Sequence, residues 1–254
     1  MKKVFIATLS AVTVLCIVVG TMVHVGGWFQ GFSFGGDSGE PISYDEEQQE
    51  FRSLKIEADV MSVTIQKGDS YRISYEASEQ RLAPKIELKG DILMITQSFR
   101  AFNFLRFGSH KCKMTLTVPE GVQLGGVEFD LDVGELILSD LSVDHMKIAT
   151  DVGNVEMASC GGKRLEAESD VGNIDIRSSE FMDAEIETDV GNVSYSAARD
   201  LSSYDLTLAT DIGKVTVDGE SCKKQFNQAA SADADKHRLA IETDTGSIDI
   251  VTAR

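Results

Sequence analysis

The chain of 254 residues is long enough to bury a sizeable hydrophobic core, and its formal net charge at pH 7 is −17. So acidic a protein repels nucleic acid and anionic lipid head groups, which excludes nucleic-acid binding as a function. The charge instead suits cations, basic partners or solubility in a charged cell envelope.

The N-terminal segment predicts a transmembrane anchor. Residues 4–23 carry no charge, and at about 1.5 Å per residue they can span the roughly 30 Å core of a bilayer. A cleaved signal peptide is the alternative, but its apolar region is usually about 7–15 residues long and ends at a small-x-small site, which is missing here. Lys2 and Lys3 keep the N-terminus in the cytoplasm. We therefore predict a cytoplasmic stub and anchor over residues 1–29, in a single-pass cell-membrane protein whose C-terminal domain is extracellular.

The rest of the chain divides into a linker and a β-domain. Residues 30–50 are rich in glycine and then in acidic residues, which predicts a flexible acidic linker. Beyond it, apolar and polar residues alternate, as in "LKIEADV", with the period of a half-buried β-strand. We predict an all-β domain over residues 51–254, with N-terminal strands and a cap in 51–120 and repeats in 121–254.

An aspartate recurs through the second half of the chain at steps of 19, 19, 19, 22 and 33 residues, at Asp132, Asp151, Asp170, Asp189, Asp211 and Asp244. A unit of about 19 residues cannot close a core alone, so such units stack as a β-solenoid. The strands of neighbouring coils then lie about 4.8 Å apart. The apolar residue after each turn should form one internal ladder, made of Leu136, Val155, Ile174, Val193, Val215 and Ile248.

The recurring "DVGN" has a structural and a calcium interpretation. Structurally, the glycine turns a corner at positive φ, the aspartate accepts backbone N–H groups, and the asparagine hydrogen-bonds to the next coil. Calcium takes six to eight oxygens, and its nine-residue glycine-aspartate repeat is absent. We therefore predict architecture and no cofactor. The calcium alternative would use the carboxylates of Asp132, Asp151, Asp170, Asp189 and Asp211.

The repeats also resemble a known family. Units such as "TDVGNV", preceded by "LTVPEGVQLGGVEFDLDVGEL" and by an N-terminal anchor, look like the bacterial adhesin-like family of LiaG-like β-helical repeat proteins. The resemblance covers residue 51 to the C-terminus. It implies a membrane-tethered, right-handed, single-stranded β-helix, and it supplies no established catalytic residues.

The stretch "SFRAFNFLRFGSHKCKM" combines aromatic and basic residues in an otherwise acidic chain. One interpretation is a cap over the first coil, because the ends of a solenoid need covering. The other is a surface that contacts the membrane interface or an acidic, sugar-like or peptide ligand. This surface would consist of Phe99, Arg100, Phe102, Phe104, Arg106 and Phe107.

The last strand, "SIDIVTAR", ends the chain with no obvious cap. An open solenoid edge can pair with a strand of another chain. We therefore predict self-association or docking of a partner at this edge.

These features together predict a non-catalytic protein that binds, adheres or assists an envelope-stress system, with an envelope protein or a glycan as its partner. The sequence contains no Gly-x-Ser-x-Gly or His-Glu-x-x-His motif. The second hypothesis is a carbohydrate-active β-helix enzyme, which would need a groove with carboxylates beyond the corner aspartates. A calcium-stabilised surface scaffold is the third.

Overall fold

The computed structural model describes residues 41–99, 111–231 and 236–252. In these ranges the regular structure is β-strand, apart from two 3-10 turns at Gln80–Leu82 and Leu201–Ser203. The all-β prediction is therefore confirmed. Seven strands precede the repeats: β1 (Ile42–Glu47), β2 (Ser53–Val60), β3 (Ser62–Gly68), β4 (Arg72–Ala77), β5 (Lys85–Lys89), β6 (Ile92–Gln97) and β7 (Cys112–Pro119).

The repeats supply the other strands: β8 (Gln123–Val133), β9 (Leu136–Ser139), β10 (Ser142–Val152), β11 (Val155–Ala158), β12 (Gly161–Val171), β13 (Ile174–Val190), β14 (Val193–Ala197), β15 (Tyr204–Ile212), β16 (Val215–Val217), β17 (Glu220–Cys222), β18 (Gln225–Gln228), β19 (His237–Thr245) and β20 (Ile248–Thr252).

Each repeat forms a coil from one long strand and one short strand. The long strands pair in parallel as sheet I, where Met146 of β10 aligns with Val127 of β8 and Leu165 of β12. The short strands pair in parallel as sheet II, where Val155 of β11 aligns with the corresponding residues of β9 and β13. Alternate side chains point between the sheets and are buried. The core is therefore one apolar column, as stacked coils require.

The coils at the C-terminal end do not stack in the order of the sequence. In sheet II, β20 pairs with β14 on one side and with β16 on the other. In sheet I, β19 likewise lies between β13 and β15. The last coil in sequence is thus interposed between the two coils that precede it. The predicted internal ladder is present, but its order along the stack is Leu136, Val155, Ile174, Val193, Ile248 and Val215.

The N-terminal end has the same arrangement. The coil β2–β3 lies between the coil β6–β7 and the coil β8–β9. Ala58 and Val60 align with Leu131 and Val133, so β2–β3 is a full repeat in register despite its divergent sequence.

Antiparallel strands cover both ends of the stack. At the N-terminal end, β4 pairs with β7, β1 pairs with β4, and β5 pairs with β6. At the other end, β17 pairs with β16 and β18 pairs with β15. The prediction of an open edge at the last strand is wrong, because β20 is paired on both sides. Self-association through that strand therefore loses its basis.

The ordered domain begins earlier than the predicted boundary at residue 50. Ile42–Glu47 of the predicted flexible linker form β1. The ring of Tyr44 stacks on that of Tyr75 with centroids 5.1 Å apart, and Arg72 Nε lies 2.6 Å from Asp45 Oδ1. The segment is a short amphipathic strand whose acidic residues face solvent. In the sequence those acidic residues made it resemble a flexible linker.

In the part of the chain that the structure describes, no helix is long and apolar enough to cross a membrane. The predicted anchor within residues 1–29 lies outside the described residues.

Candidate functional site

The repeated motif lies at one corner of the coil, where sheet I ends and the chain turns into sheet II. Thr150 and Val152 align with Ser169 and Val171, which places Asp151 beside Asp170. The pairing of the long strands in sheet I places all the aspartates of the motif side by side, and we call this row the Asp column. Its order along the stack is Asp59, Asp132, Asp151, Asp170, Asp189, Asp244 and Asp211.

Close approach between coils explains the corner glycines. A Cβ on Gly172 would overlap the carbonyl oxygen of Gly153, and a Cβ on Gly191 would overlap that of Gly172. The described glycines with a left-handed φ all lie outside this corner, so the predicted positive φ is wrong. The column of corner glycines consists of Gly134, Gly153, Gly172, Gly191, Gly246 and Gly213.

The asparagines after these glycines link successive coils. The backbone N–H of Asn173 donates to Asn154 Oδ1 at 2.9 Å, and the N–H of Asn192 donates to Asn173 Oδ1 at 2.9 Å. Ser247, which occupies this position in the interposed coil, donates its N–H to Asn192 Oδ1 at 2.9 Å. The predicted hydrogen bonds along the stack are confirmed.

In three of the coils a buried threonine hydroxyl donates to a carbonyl at this corner, whereas the equivalent hydroxyls of Thr150 and Ser169 have no partner within the described ranges. Thr210 Oγ1 donates to the carbonyl oxygen of Gly246 at 2.9 Å, and Thr243 Oγ1 donates to that of Gly191 at 3.2 Å. Each of these threonines directly precedes an aspartate of the column. From Asp132 onwards, no carboxylate of the column accepts a hydrogen bond from a described residue. The predicted aspartate turn caps are therefore wrong, and these carboxylates face outward.

Partial burial and stacking raise the pKa of carboxyl groups in the Asp column. Partial burial raises the pKa of Asp132, and the carboxylates of Asp59 and Asp151 raise it further. Partial burial also raises the pKa of Asp189, with a further contribution from the stacked carboxylates of Asp170 and Asp244. Neighbouring charges in the column thus oppose the ionisation of Asp132 and Asp189.

A second row of carboxylates runs beside the Asp column on the outer side of sheet I. Register gives this row the order Asp130, Ala149, Glu168, Glu187 and Glu242, so its carboxylates are interrupted once, at Ala149. Neither this row nor the column from Asp132 onwards makes an ion pair with any residue in the described ranges. We call the two together the acidic face: Asp132, Asp151, Asp170, Asp189, Asp244 and Asp211, with Asp130, Glu168, Glu187 and Glu242.

The adjoining part of sheet I is by contrast neutralised by ion pairs. Lys55 Nζ lies 3.0 Å from Glu57 Oε1 and 3.2 Å from Glu128 Oε1. Arg164 Nε lies 2.6 Å from Glu166 Oε1. The outer surface of the sheet is therefore divided into an ion-paired half and an unpaired, negatively charged half.

The described residues do not form a set of oxygen ligands that could surround a calcium ion. Across residues 41–99, 111–231 and 236–252, no three His, Cys, Asp or Glu side chains are grouped so that they could hold a metal ion. Neighbouring carboxylates of the column lie side by side about 4.8 Å apart, whereas calcium is surrounded by six to eight oxygens. Calcium binding by Asp132, Asp151, Asp170, Asp189 and Asp211 stays a prediction.

The aromatic and basic stretch is described only at its first residue. Phe99 packs, partly buried, against the core, and its backbone N–H donates to Asp59 Oδ2 at 2.5 Å. The contact role of this stretch stays a prediction, because its other members lie outside the described residues: Arg100, Phe102, Phe104, Arg106 and Phe107.

The raised carboxyl pKa values predict that mild acid stabilises the protein. A carboxyl whose pKa is higher in the folded than in the unfolded state binds protons preferentially when folded, so stability rises as pH falls through the folded pKa. We expect the melting temperature to rise as the pH falls from 7 toward about 4, near the ordinary pKa of an aspartate. Below about pH 4 it should fall, because Asp144, whose pKa is lowered mainly by its hydrogen bond with Lys163, then loses that ion pair.

Calorimetry of the full chain at constant ionic strength tests this pH dependence. The double substitution D151N/D189N should flatten the profile between pH 7 and about pH 4 and raise the melting temperature at pH 7. Asp249→Asn, on the exposed outer side of β20, is the matched control and should leave the profile unchanged. A profile that falls steadily from pH 7 to about pH 4 would show that column repulsion is negligible.

Sequence reasoning found the Asp column but not the second row. Glu168 and Glu187 stand two residues before the aspartates of their repeats, which in a strand is the same face. Because these glutamates recur at the 19-residue spacing of the repeat, the second row could have been predicted from the sequence.

The sequence of the β-domain matches a known protein family. A family model described as Toastrack DUF4097 matches residues 51–198 and 120–251. No curated protein matches the sequence.

One solved structure shares the fold at low sequence identity. The crystal structure of a candidate cell adhesion protein from Clostridium sporogenes is 15% identical, covers 84% of this chain and 100% of its own, and superposes with a TM-score of 0.50. That of a candidate adhesin from Bacteroides fragilis is 15% identical, covers 83% of this chain and 97% of its own, and has a TM-score of 0.44. At these identities the likeness extends to the fold alone.

Proposed function

This chain belongs to the Toastrack DUF4097 family, and from the surface that its fold displays we propose that it is a non-catalytic, membrane-tethered binding protein. Residues 4–23 serve as the anchor, with Lys2 and Lys3 on the cytoplasmic side. The β-domain is then displayed outside the cell, where it adheres to a partner or assists envelope-stress sensing.

The acidic face carries this proposal. Its carboxylates are held at a fixed spacing of about 4.8 Å by hydrogen-bonded strands, and no described cation neutralises them. Keeping like charges this close costs roughly 1 kcal/mol per pair even in water. A basic partner relieves that repulsion on binding, and the summed field also accelerates its approach.

The geometry does not favour the carbohydrate-active enzyme. A groove of about 220 Å³ on sheet I does hold carboxylates beyond the Asp column, from Glu166, Glu168, Glu185 and Glu187. Glycosidases flank the scissile bond with two carboxyl groups in different protonation roles. Here the carboxylates project side by side from one flat sheet, so they provide no opposing pair.

Binding of a decalysine peptide to the full chain in non-ionic detergent tests the proposal. The first variant removes four charges from the acidic face, and the second removes four exposed charges elsewhere. We expect the first to weaken binding by at least about tenfold, which is 1.4 kcal/mol, and the second by about twofold or less. The variants are D151N/E168Q/D170N/E187Q and D69N/E120Q/E220Q/D249N.

Salt dependence provides the second measurement. Affinity of the unmodified chain should fall steeply between 50 and 200 mM NaCl, and the slope should be shallower in the first variant than in the second. Equal losses in both variants would mean that net charge alone attracts the peptide, and the acidic face would not be a binding surface.

A further inference from the structure

A trough crosses the ion-paired half of sheet I. Its floor is β8 at Gly125 and Gly126, and in register with Gly126 the flanking strands carry Ser53 on β2 and His145 on β10. Because these two glycines have no side chains, the side chains of β2 and β10 on either side form the walls of the trough. Two adjoining concavities of about 340 and 570 Å³ open onto this floor.

Packing does not require glycine at these positions. A Cβ on Gly126 would lie 4.0 Å from its nearest neighbour, Ser53 Oγ, and a Cβ on Gly125 would lie 3.7 Å from the carbonyl oxygen of Arg52. Both are ordinary contacts, unlike the overlaps at the corner glycines. Glycine inside a strand costs roughly 0.5–1 kcal/mol relative to alanine. A glycine inside a strand marks a bulge, a bend or a place where a ligand approaches the backbone, and the concavities above Gly125 and Gly126 favour the last of these.

The trough gathers cations in an otherwise acidic molecule. Within a chain of net charge −17, its lining holds six basic residues beside four acidic ones, Glu50, Glu128, Asp144 and Glu166. The groove of about 220 Å³ beside it is instead lined by Lys147 and four glutamates. The six basic residues are Arg52, Lys55, His145, Lys147, Lys163 and Arg164.

Two of these cations are available to a ligand. Lys163 Nζ lies 2.8 Å from Asp144 Oδ1, and Lys55 is held by Glu57 and Glu128. Arg52 and Lys147 make no ion pair with any residue of the described ranges. They lie in the two adjoining concavities, Arg52 in the larger and Lys147 in the smaller. An extended ligand with spaced negative groups would meet one unpaired cation in each.

The remaining surface suits hydroxyl groups and ring faces. Glu128 and Glu166, fixed by Lys55 and Arg164, keep carboxylate oxygens at the trough that can accept hydrogen bonds from hydroxyls. Ile92 is 40% exposed, lies beside Ser53 on the far side of β2 from Gly126, and adds an apolar surface to the same concavity. From Gln123 to Glu128 the strand that carries this floor is about 17 Å long, at about 3.3 Å per residue, and its two glycines lie in the middle of that stretch.

We infer that this trough is a binding site for a segment of an anionic polysaccharide, whose sugar rings lie on the floor and whose carboxylate or phosphate groups pair with Arg52 and Lys147. The site is separate from the acidic face and offers unpaired cations, Arg52 and Lys147, where that face offers unpaired carboxylates. Either site can therefore exist without the other.

Titration calorimetry of the full chain in non-ionic detergent tests the inference. The probes are trigalacturonate, a short poly(glycerol phosphate) and, as neutral control, maltotriose. We expect at least one anionic probe to bind with a Kd of about 1 mM or tighter, and maltotriose to bind at least about tenfold more weakly. Which anionic probe binds better identifies the carboxylate or the phosphate as the preferred group.

Two substitutions locate the binding. Gly126→Leu fills the floor and should weaken binding at least about tenfold. The matched control Ala240→Leu adds the same side chain to the outer row of sheet I on β19. Lys147→Gln should weaken binding about threefold or more, with exposed Lys67→Gln as its control.

Binding that persists in Gly126→Leu would overturn the inference, as would the absence of binding by both anionic probes. Binding of maltotriose as tight as that of the anionic probes would overturn the anionic class. The variant D151N/E168Q/D170N/E187Q should bind these probes at least as well as the unmodified chain, which separates failure of this site from failure of the acidic face.

Discussion

Truncating the chain after residue 236 should abolish the native structure of the whole region from residue 200 onwards, although only the last coil is removed. That coil supplies the partners of β15 and β16 on one side and of β13 and β14 on the other. Ile250, which is fully buried, aligns with both Tyr195 and Val217. Without it, both flanking coils expose apolar faces to water, at about 25 cal/mol per Å².

Hydrogen exchange read by mass spectrometry measures the outcome. We expect protection in β15 and β16 to fall by more than about a hundredfold, or 2.7 kcal/mol, while β10 and β11 keep most of theirs. A truncation after residue 252, which leaves β20 intact, is the control and should change nothing. Retained protection in β15 and β16 would mean that they pack directly on β14, as the linear order of coils requires.

Gly172→Ala should destabilise the protein by about 3 kcal/mol or more, which is far above the usual effect of a single methyl group at an exposed turn. The added Cβ overlaps the carbonyl oxygen of Gly153. That oxygen belongs to the backbone of the neighbouring coil, so it cannot rotate away as a side chain could. Relief requires the two coils to separate locally, which also strains the hydrogen bond from Asn173 N–H to Asn154 Oδ1.

Gly126→Ala is the matched control, because its added Cβ has open space around it. Urea unfolding should place this variant within about 0.5 kcal/mol of the unmodified chain or make it slightly more stable, since alanine restricts the unfolded chain. Should both variants lose stability equally, the cause would be the loss of glycine flexibility, and close approach between coils would not explain the corner.

Much of the coil architecture could be predicted from the sequence. The 19-residue step and the alternation of apolar residues depend on contacts that repeat identically, so they leave a periodic trace. The resemblance to adhesin-like repeat proteins is confirmed by the family match and by a solved structure of the same fold. The transmembrane anchor and the extracellular location stay predictions.

The order of the coils could not be predicted, for a physical reason. Every coil presents the same apolar column to both neighbours, so Val193 can pack on Ile248 as well as on Val215. The only trace of the exchange is the 33-residue step before Asp244. That step contains β17 and β18, which cover the end of the stack before the chain turns back.

The corner glycines show a different limit. Positive φ and close approach both select glycine, and a single sequence does not separate them. Only the position of the neighbouring carbonyl oxygens decides between the two explanations. The trough left no such pattern in the sequence: Gly125 and Gly126 lie inside strand β8, and only the neighbouring strands show that space opens above them.

The interposed last coil also has a consequence for biosynthesis. A solenoid whose coils stack in sequence order adds each coil to a growing end as it is synthesised. Here the coil β19–β20 is synthesised after β15–β18 yet occupies an interior position, so the preceding coil and its end cap must wait for their neighbour until β20 has been made. A chain cut short between His237 and Thr252 therefore leaves two apolar coil faces open to proteases.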